Sequence, residues 1–179
     1  MRTAIPLTVL VTGLACSLFT ASAQARARVF VASYGSDSNP CTFGSPCKTF
    51  QQAVNVVDVG GEVTAIDSAG FGPINIIRSV TITSPAGVEA GIAAPAPGTA
   101  AITINTTSSN QTITLSGLTL DGANVSNSTG ISFSGLRGSL TVRDSVIRNF
   151  TLDGIDFSPA GVATFRYRTL WCPIMATLE

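Results

Sequence analysis

Two apolar columns that recur once per repeat, at a period of about 25 residues, constrain this chain more than any other feature. Ile102/Ile104, Ile131/Phe133 and Ile155/Phe157 form one column, which steps from position 102 to 131 to 155. Ile113/Leu115 and Leu140/Val142 form the other, which steps from position 113 to 140. Each member is apolar-x-apolar, the two-residue period of a strand with one buried face. A unit this short cannot bury such a face alone. Self-similarity at periods of about 20 to 50 residues therefore points to units that stack on their neighbours.

Within one period the pattern has parts. "LTVRDSVIRN" places Leu140 and Val142 inward, turns at Arg143-Asp144, then places Ser145 and Ile147 inward. "ITLSGLTLDG" repeats this with Ile113 and Leu115, a corner at Ser116-Gly117, then Leu118 and Leu120. One circuit thus carries about three short strands. The expected fold is all-β, a parallel β-helix. Further strand-like pieces are "ARVFVAS", "EVTAID", "PINII", "SVTIT", "AAITIN", "TGISF" and "GIDF", separated by Gly, Ser, Asn, Thr and Pro clusters. One stretch reads differently. Thr49 with Gln52 has the form of a capping box, and Phe50, Ala53, Val54 and Val57 share one helical face. Gly60-Gly61 is the expected stop.

The ends and the cysteines set the compartment. Arg2, an apolar stretch from Ile5 to Phe19 and a small-residue site near Ala23 or Ala25 read as a secretory signal peptide. The mature chain is expected to be secreted, extracellular or periplasmic, with no membrane span. Cys16 leaves with the signal. Cys41 and Cys47 sit close together in "NPCTFGSPC", and an oxidising compartment predicts a disulfide; the alternative is two buried free thiols. On the chain-entropy account so short a loop contributes about 2 kcal/mol. Lys+Arg and Asp+Glu number 10 each, and 11% of residues are charged. Such a chain has no basic stripe for nucleic acid. It also has no histidine, hence neither the commonest general base nor the commonest transition-metal ligand.

"VFVASYGSDSNPCTFGSPCKTFQQA", followed by "GGEVTAIDSAGFGPINIIRSVTIT", resembles the N-terminal part of right-handed parallel β-helix proteins of the pectin-lyase-like superfamily. The opening strand, Gly35-Ser36-Asp37, Asn39-Pro40, Pro46, Thr49-Phe50, Gln52-Ala53 and the later repeats carry the resemblance, which covers roughly residues 27 to 160. The Cys41/Cys47 pair departs from it. The resemblance implies a short N-terminal helix capping the open end of the solenoid. The division expected is a signal peptide over 1–25, the N-terminal strand, disulfide loop and capping helix over 26–61, and β-helix coils over 62–163.

Residues 164–179 break the idiom. The next coil should repeat "LTVRDSVIRN" near residue 165, where the chain instead reads "FRYRTLWCPIM", with the unpaired Cys172 and the only Trp, Trp171. Codons spanning adjacent residues permit a neighbouring frame that reads Leu-Ser-Val-Ser-Asp, the missing coil. The expectation is a frameshifted, truncated end of a longer β-helix; the alternative is an irregular cap.

Superfamily members often act on acidic polysaccharides with Asp and Arg or Lys along one strand column, sometimes with Ca²⁺, so polysaccharide or cell-surface glycan is the implied partner. Here the outward residues of the first column are Thr103, Ser132 and Asp156, with Asp153 just before and Arg137 in a nearby turn. Asp153, Asp156 and Arg137 are the nearest approach to an acid/base constellation, and no cofactor is evident. The pattern favours their being ordinary turn and face residues. Asp144 has the position of a turn residue, and Asp121 and Arg148, one period apart, that of a stacked surface ion pair. Sequons at Asn105, Asn110, Asn124, Asn127 and Asn149 follow from an Asn/Ser/Thr-rich composition. The function expected is an exported, non-catalytic module that contacts a surface or carbohydrate. The alternative is the N-terminal part of a polysaccharide lyase or related carbohydrate-active enzyme.

Overall fold

The computed structural model describes residues 26–108 and 110–168. Strand β1 (Arg28–Val31) and helix α1 (Phe50–Val56) come first. The chain then makes repeated circuits through three sheets. The first circuit is β2 (Glu62–Ala65), β3 (Ala69–Gly70) and β4 (Ile74–Ile76). The second is β5 (Val80–Thr83), β6 (Ala90–Ala93) and β7 (Ala100–Ile104). The third is β8 (Thr112–Ser116), β9 (Leu118–Asp121) and β10 (Thr129–Phe133). The fourth is β11 (Gly138–Arg143), β12 (Val146–Arg148) and β13 (Asp153–Phe157), and β14 (Ala163–Arg168) follows.

Six strands form one sheet in the order β1-β2-β5-β8-β11-β14, and two four-stranded sheets run β4-β7-β10-β13 and β3-β6-β9-β12. Every named pair is parallel. Stacked, all-parallel sheets visited in rotation are consistent with a β-helix-like solenoid.

Both apolar columns are real registers. Ile131 pairs with Ile102 and Ile155, and Phe133 with Ile104 and Phe157. Leu140 pairs with Ile113, and Val142 with Leu115. The structure extends both toward the N-terminus, through Ile74/Ile76 and Val80/Ile82. All of these side chains but Phe157 are buried, and full burial of each contributes about 1.5–3 kcal/mol. Phe157 is half-covered, its ring 4.8 Å from that of Phe133 and 5.4 Å from that of Phe165.

The N-terminal end is closed in two ways. The first is α1, whose Phe50, Ala53 and Val54 are buried, with the Phe50 ring 4.9 Å from Phe71. The second is the loop between Cys41 and Cys47, which are disulfide-bonded and fully buried. Phe30 N–H donates to Cys41 O at 2.8 Å, while Cys47 N–H donates to Phe30 O and Ala32 N–H to Cys47 O, both at 3.0 Å. The loop therefore occupies the edge of β1 that has no strand beside it.

The expected capping box is only half formed. Gln52 N–H donates to Thr49 Oγ1 at 3.2 Å, but Thr49 N–H donates to Asp37 Oδ1 at 2.9 Å, where a box would use Gln52. Asp37 also accepts from Lys48 N–H and the Thr49 hydroxyl, so the carboxylate supersedes the weaker amide. The helix also stops earlier than Gly60-Gly61. Val57 is extended and 1% exposed, because it must enter the core, and Asp58 N–H then bonds Arg26 O.

The corners explain several polar residues. Gly117 (φ 71°) and Asp144 (φ 52°) hold the same corner in successive circuits, both left-handed. Asn110, Asn124, Asn127 and Asn149, four of the five sequon residues, have φ between 53° and 66°. Asn is among the few side chains that tolerate this conformation, and its place here is a turn requirement. Residues 163–168, where the sequence changes idiom, form β14 in register with β11, with Phe165 beside Leu140. The signal-peptide reading with Cys16, and Trp171 and Cys172, fall outside the described residues. Among the described residues no helix is long and apolar enough to cross a membrane.

Candidate functional site

Alternation along the β4-β7-β10-β13 sheet turns the Ile and Phe side chains inward and the residues between them outward. The outward row is Asn75, Thr103, Ser132 and Asp156, each beside the next in the register. A groove of about 490 Å³ lies along its first part, with Gln51, Asn75, Thr99, Thr103 and Ser132 in its walls. Gln51 ties the helix to this face: its Oε1 accepts from Asn75 N–H at 2.7 Å, and its amide donates to Asn55 Oδ1 at 3.0 Å. The lining is amide, hydroxyl and apolar. It includes no charged side chain.

Among the described residues no ion pair joins the three sequence candidates to one another. Asp156 continues the outward row beyond Ser132 and does not line the groove. Asp153 opens the same strand, three positions before Asp156 and in register with Thr129 of β10. Arg137 lies in the turn before β11 and lines a separate cleft of about 420 Å³, with Asn110, Gln111, Thr112, Ser139 and Thr164. Its backbone carbonyl accepts from the Thr106 hydroxyl at 2.7 Å. The two ion pairs among the described residues are Arg28–Glu62 and Arg148–Asp121, and neither uses a candidate.

A third depression, of about 490 Å³, lies on the β3-β6-β9-β12 sheet. Gly70, Gly91 and Ala93 give it a smooth floor, with Thr119, Asp121 and Arg148 at one end. Asp121 is the hydrogen-bonded carboxylate of this depression. It accepts from Arg148 Nε at 2.9 Å, from Asn149 Nδ2 at 3.0 Å and from Ala123 N–H at 2.9 Å. Burial raises its pKa, but the Ala123 N–H, the Asn149 amide and the Arg148 guanidinium together outweigh that and hold it below the ordinary carboxylate value.

Calcium needs about six to eight oxygen ligands, usually with several carboxylates. Among the described residues no three His, Cys, Asp or Glu side chains gather, and the register neighbour of Asp156 is Ser132. The residues do not fit a resident Ca²⁺.

Sequence reasoning located Thr103 and Ser132 but missed Gln51, Asn75 and Thr99. Asn75 had a signal, since Ile74-Asn75-Ile76 repeats the motif Ile102-Thr103-Ile104 one circuit earlier. Gln51 had none, because only the fold places the helix beside β4. Comparison with protein-family models, with curated proteins and with solved structures finds no match.

Proposed function

We infer that this chain is an exported, non-catalytic β-helix module that contacts a neutral glycan through the groove over Asn75, Thr103 and Ser132. The observation that carries the reading is the groove's chemistry. Amide and hydroxyl groups of Gln51, Asn75, Thr99, Thr103 and Ser132 line it without a charged side chain. Sugar hydroxyls are met well by such groups, which both donate and accept. Acid/base cleavage needs a positioned proton donor or acceptor, and among the described residues no ion pair positions the Asp153, Asp156 or Arg137 side chain. The parallel stacked sheets and the resemblance at residues 27 to 160 support the finer assignment to right-handed, pectin-lyase-like β-helices. The disulfide supports an oxidising compartment outside the cytoplasm.

Glycan-array binding followed by affinity electrophoresis tests this. Retardation by a neutral glycan, weakened about tenfold or more by Asn75→Ala with Thr103→Ala, is the expected result (about 1.4 kcal/mol or more). Release of ultraviolet-absorbing unsaturated products from a polyuronate, lost on Asp156→Ala, would replace this reading with the lyase one.

A further inference from the structure

The outer face of the six-stranded sheet is a grid of hydroxyls. Its outward positions include Thr81 and Thr83 in β5, Thr114 in β8 and Thr141 in β11, while Ser116 at the end of β8 is buried. The register stacks them: Thr81 lies beside Thr114 and Thr114 beside Thr141, while Thr83 lies beside Thr64 and Ser116. Threonine's preference for strands would scatter it over all three sheets. The other two do not repeat one residue type. Their outward rows read Gly91, Thr119, Val146 and Asn75, Thr103, Ser132, Asp156.

Two further features separate this grid from an ordinary solvated face. Among the described residues no hydrogen bond engages the hydroxyls of Thr81, Thr83, Thr114 or Thr141, whereas that of Thr64 donates to Glu62 Oε1 at 3.3 Å. Charge is confined to the ends, with the Arg28–Glu62 pair at one and Arg143, Arg166 and Arg168 at the other. Threonine is stiff at χ1, so each hydroxyl stays near its place in the grid and loses little freedom on contact.

The stacked hydroxyls, at the spacing of a sheet, come close to the lattice of one ligand. Neighbouring strands lie about 4.8 Å apart and alternate residues along a strand about 6.7 Å. Water oxygens joined tetrahedrally at about 2.75 Å place second neighbours about 4.5 Å apart and repeat about every 7.3 Å along the layer axis of ice. Over the two steps from Thr81 to Thr141 the mismatch grows to about 0.6 Å, and the one step along the strand from Thr81 to Thr83 differs by about the same, each comparable to the ordinary spread of O–H···O lengths. We propose that this face, centred on Thr81, Thr114 and Thr141, binds the surface of ice crystals.

The test is thermal hysteresis of the full chain, with crystal shaping followed under a microscope. The expected result is faceted crystals and a freezing point held below the melting point. Thr114→Tyr, whose ring stands above the grid, should abolish both, and Thr119→Tyr, outward on another sheet, should leave them unchanged. If Thr114→Tyr does not fold, Thr81→Lys takes its place, with the same loss expected. Unshaped crystals with the folded wild type would overturn the proposal, as would activity that survives substitution at Thr114 or Thr81. Binding to crystalline cellulose or chitin that Thr114→Tyr removes, with no effect on ice, would also overturn it and assign the grid to a polymer lattice.

Discussion

Arg148 and Asp121 lie one circuit apart in the chain and side by side in β12 and β9, with Arg148 Nε 2.9 Å from Asp121 Oδ2. The ion pair is a by-product of the period, because stacking brings equal positions of successive circuits into register. Its side chains are 43% and 35% exposed, so solvent screening keeps its contribution to about 0.5–1 kcal/mol.

Asp121→Asn should therefore lower the melting temperature modestly at pH 7. The folded-state pKa of Asp121 is depressed, so its stabilisation is present above the unfolded value, near 3.8, and is lost as pH falls below that toward the folded value. Thermal melts of wild type and variant should differ at pH 7 and converge as the pH is taken well below 3.8. A difference that persists undiminished in acid would show that packing, and not the carboxylate charge, is responsible.

Gly117 and Asp144 occupy one corner in successive circuits but should respond oppositely to exchange. A Cβ at Gly117 would lie 2.3 Å from Ser84 O at a φ of 71°, so Gly117→Ala should destabilise by roughly 2 kcal/mol or more. Asp144→Gly removes a left-handed strain at φ 52° and should change stability by no more than about 1 kcal/mol, in the favourable direction. Urea midpoints decide this. A neutral Gly117→Ala would mean that the corner relaxes and the close approach is unimportant.

Cys41→Ser with Cys47→Ser should cost about 2 kcal/mol through loop entropy alone. Because both ends of the loop bond the free edge of β1, hydrogen exchange at Phe30 and Ala32 should accelerate more than at Ile113 or Leu115. Uniform acceleration across all these amides would indicate global destabilisation and no special role at the edge.

Much of the fold was legible where side chains are large. Ile, Leu, Val and Phe at alternate positions announce β7, β8, β10, β11 and β13, and their columns became registers. The strands that escaped notice are β14, in what reads as an anomalous tail, and β3 and β6, whose "AG" and "AGIA" carry almost no apolar bulk. β3 and β6 are strands because their circuit closes there, a tertiary demand that overrides local preference. The change of idiom at Phe165 appears in space as Arg166 beside Thr141 and Arg168 beside Arg143. The candidate site was less legible, since Gln51 in the helix meets Asn75 in a strand of the next circuit. The hydroxyl grid lay in the sequence as "VTIT", "TITLS" and "LTV", but its second dimension exists only once strands are paired.

The registers also bear on how the chain reaches this state. From β5 onward, partner strands of the six-stranded sheet are one circuit apart, so each pairing closes a loop of similar length, from Val80 to Ile113 and then from Ile113 to Leu140. Loop-closure entropy rises only slowly with length, so these closures carry nearly equal penalties and none spans the whole chain. Folding should then begin wherever two adjacent circuits first meet and spread by accretion of its neighbours, as in one-dimensional repeat arrays. With the N-terminal edge occupied by the disulfide loop and α1, growth in that direction has a fixed terminus.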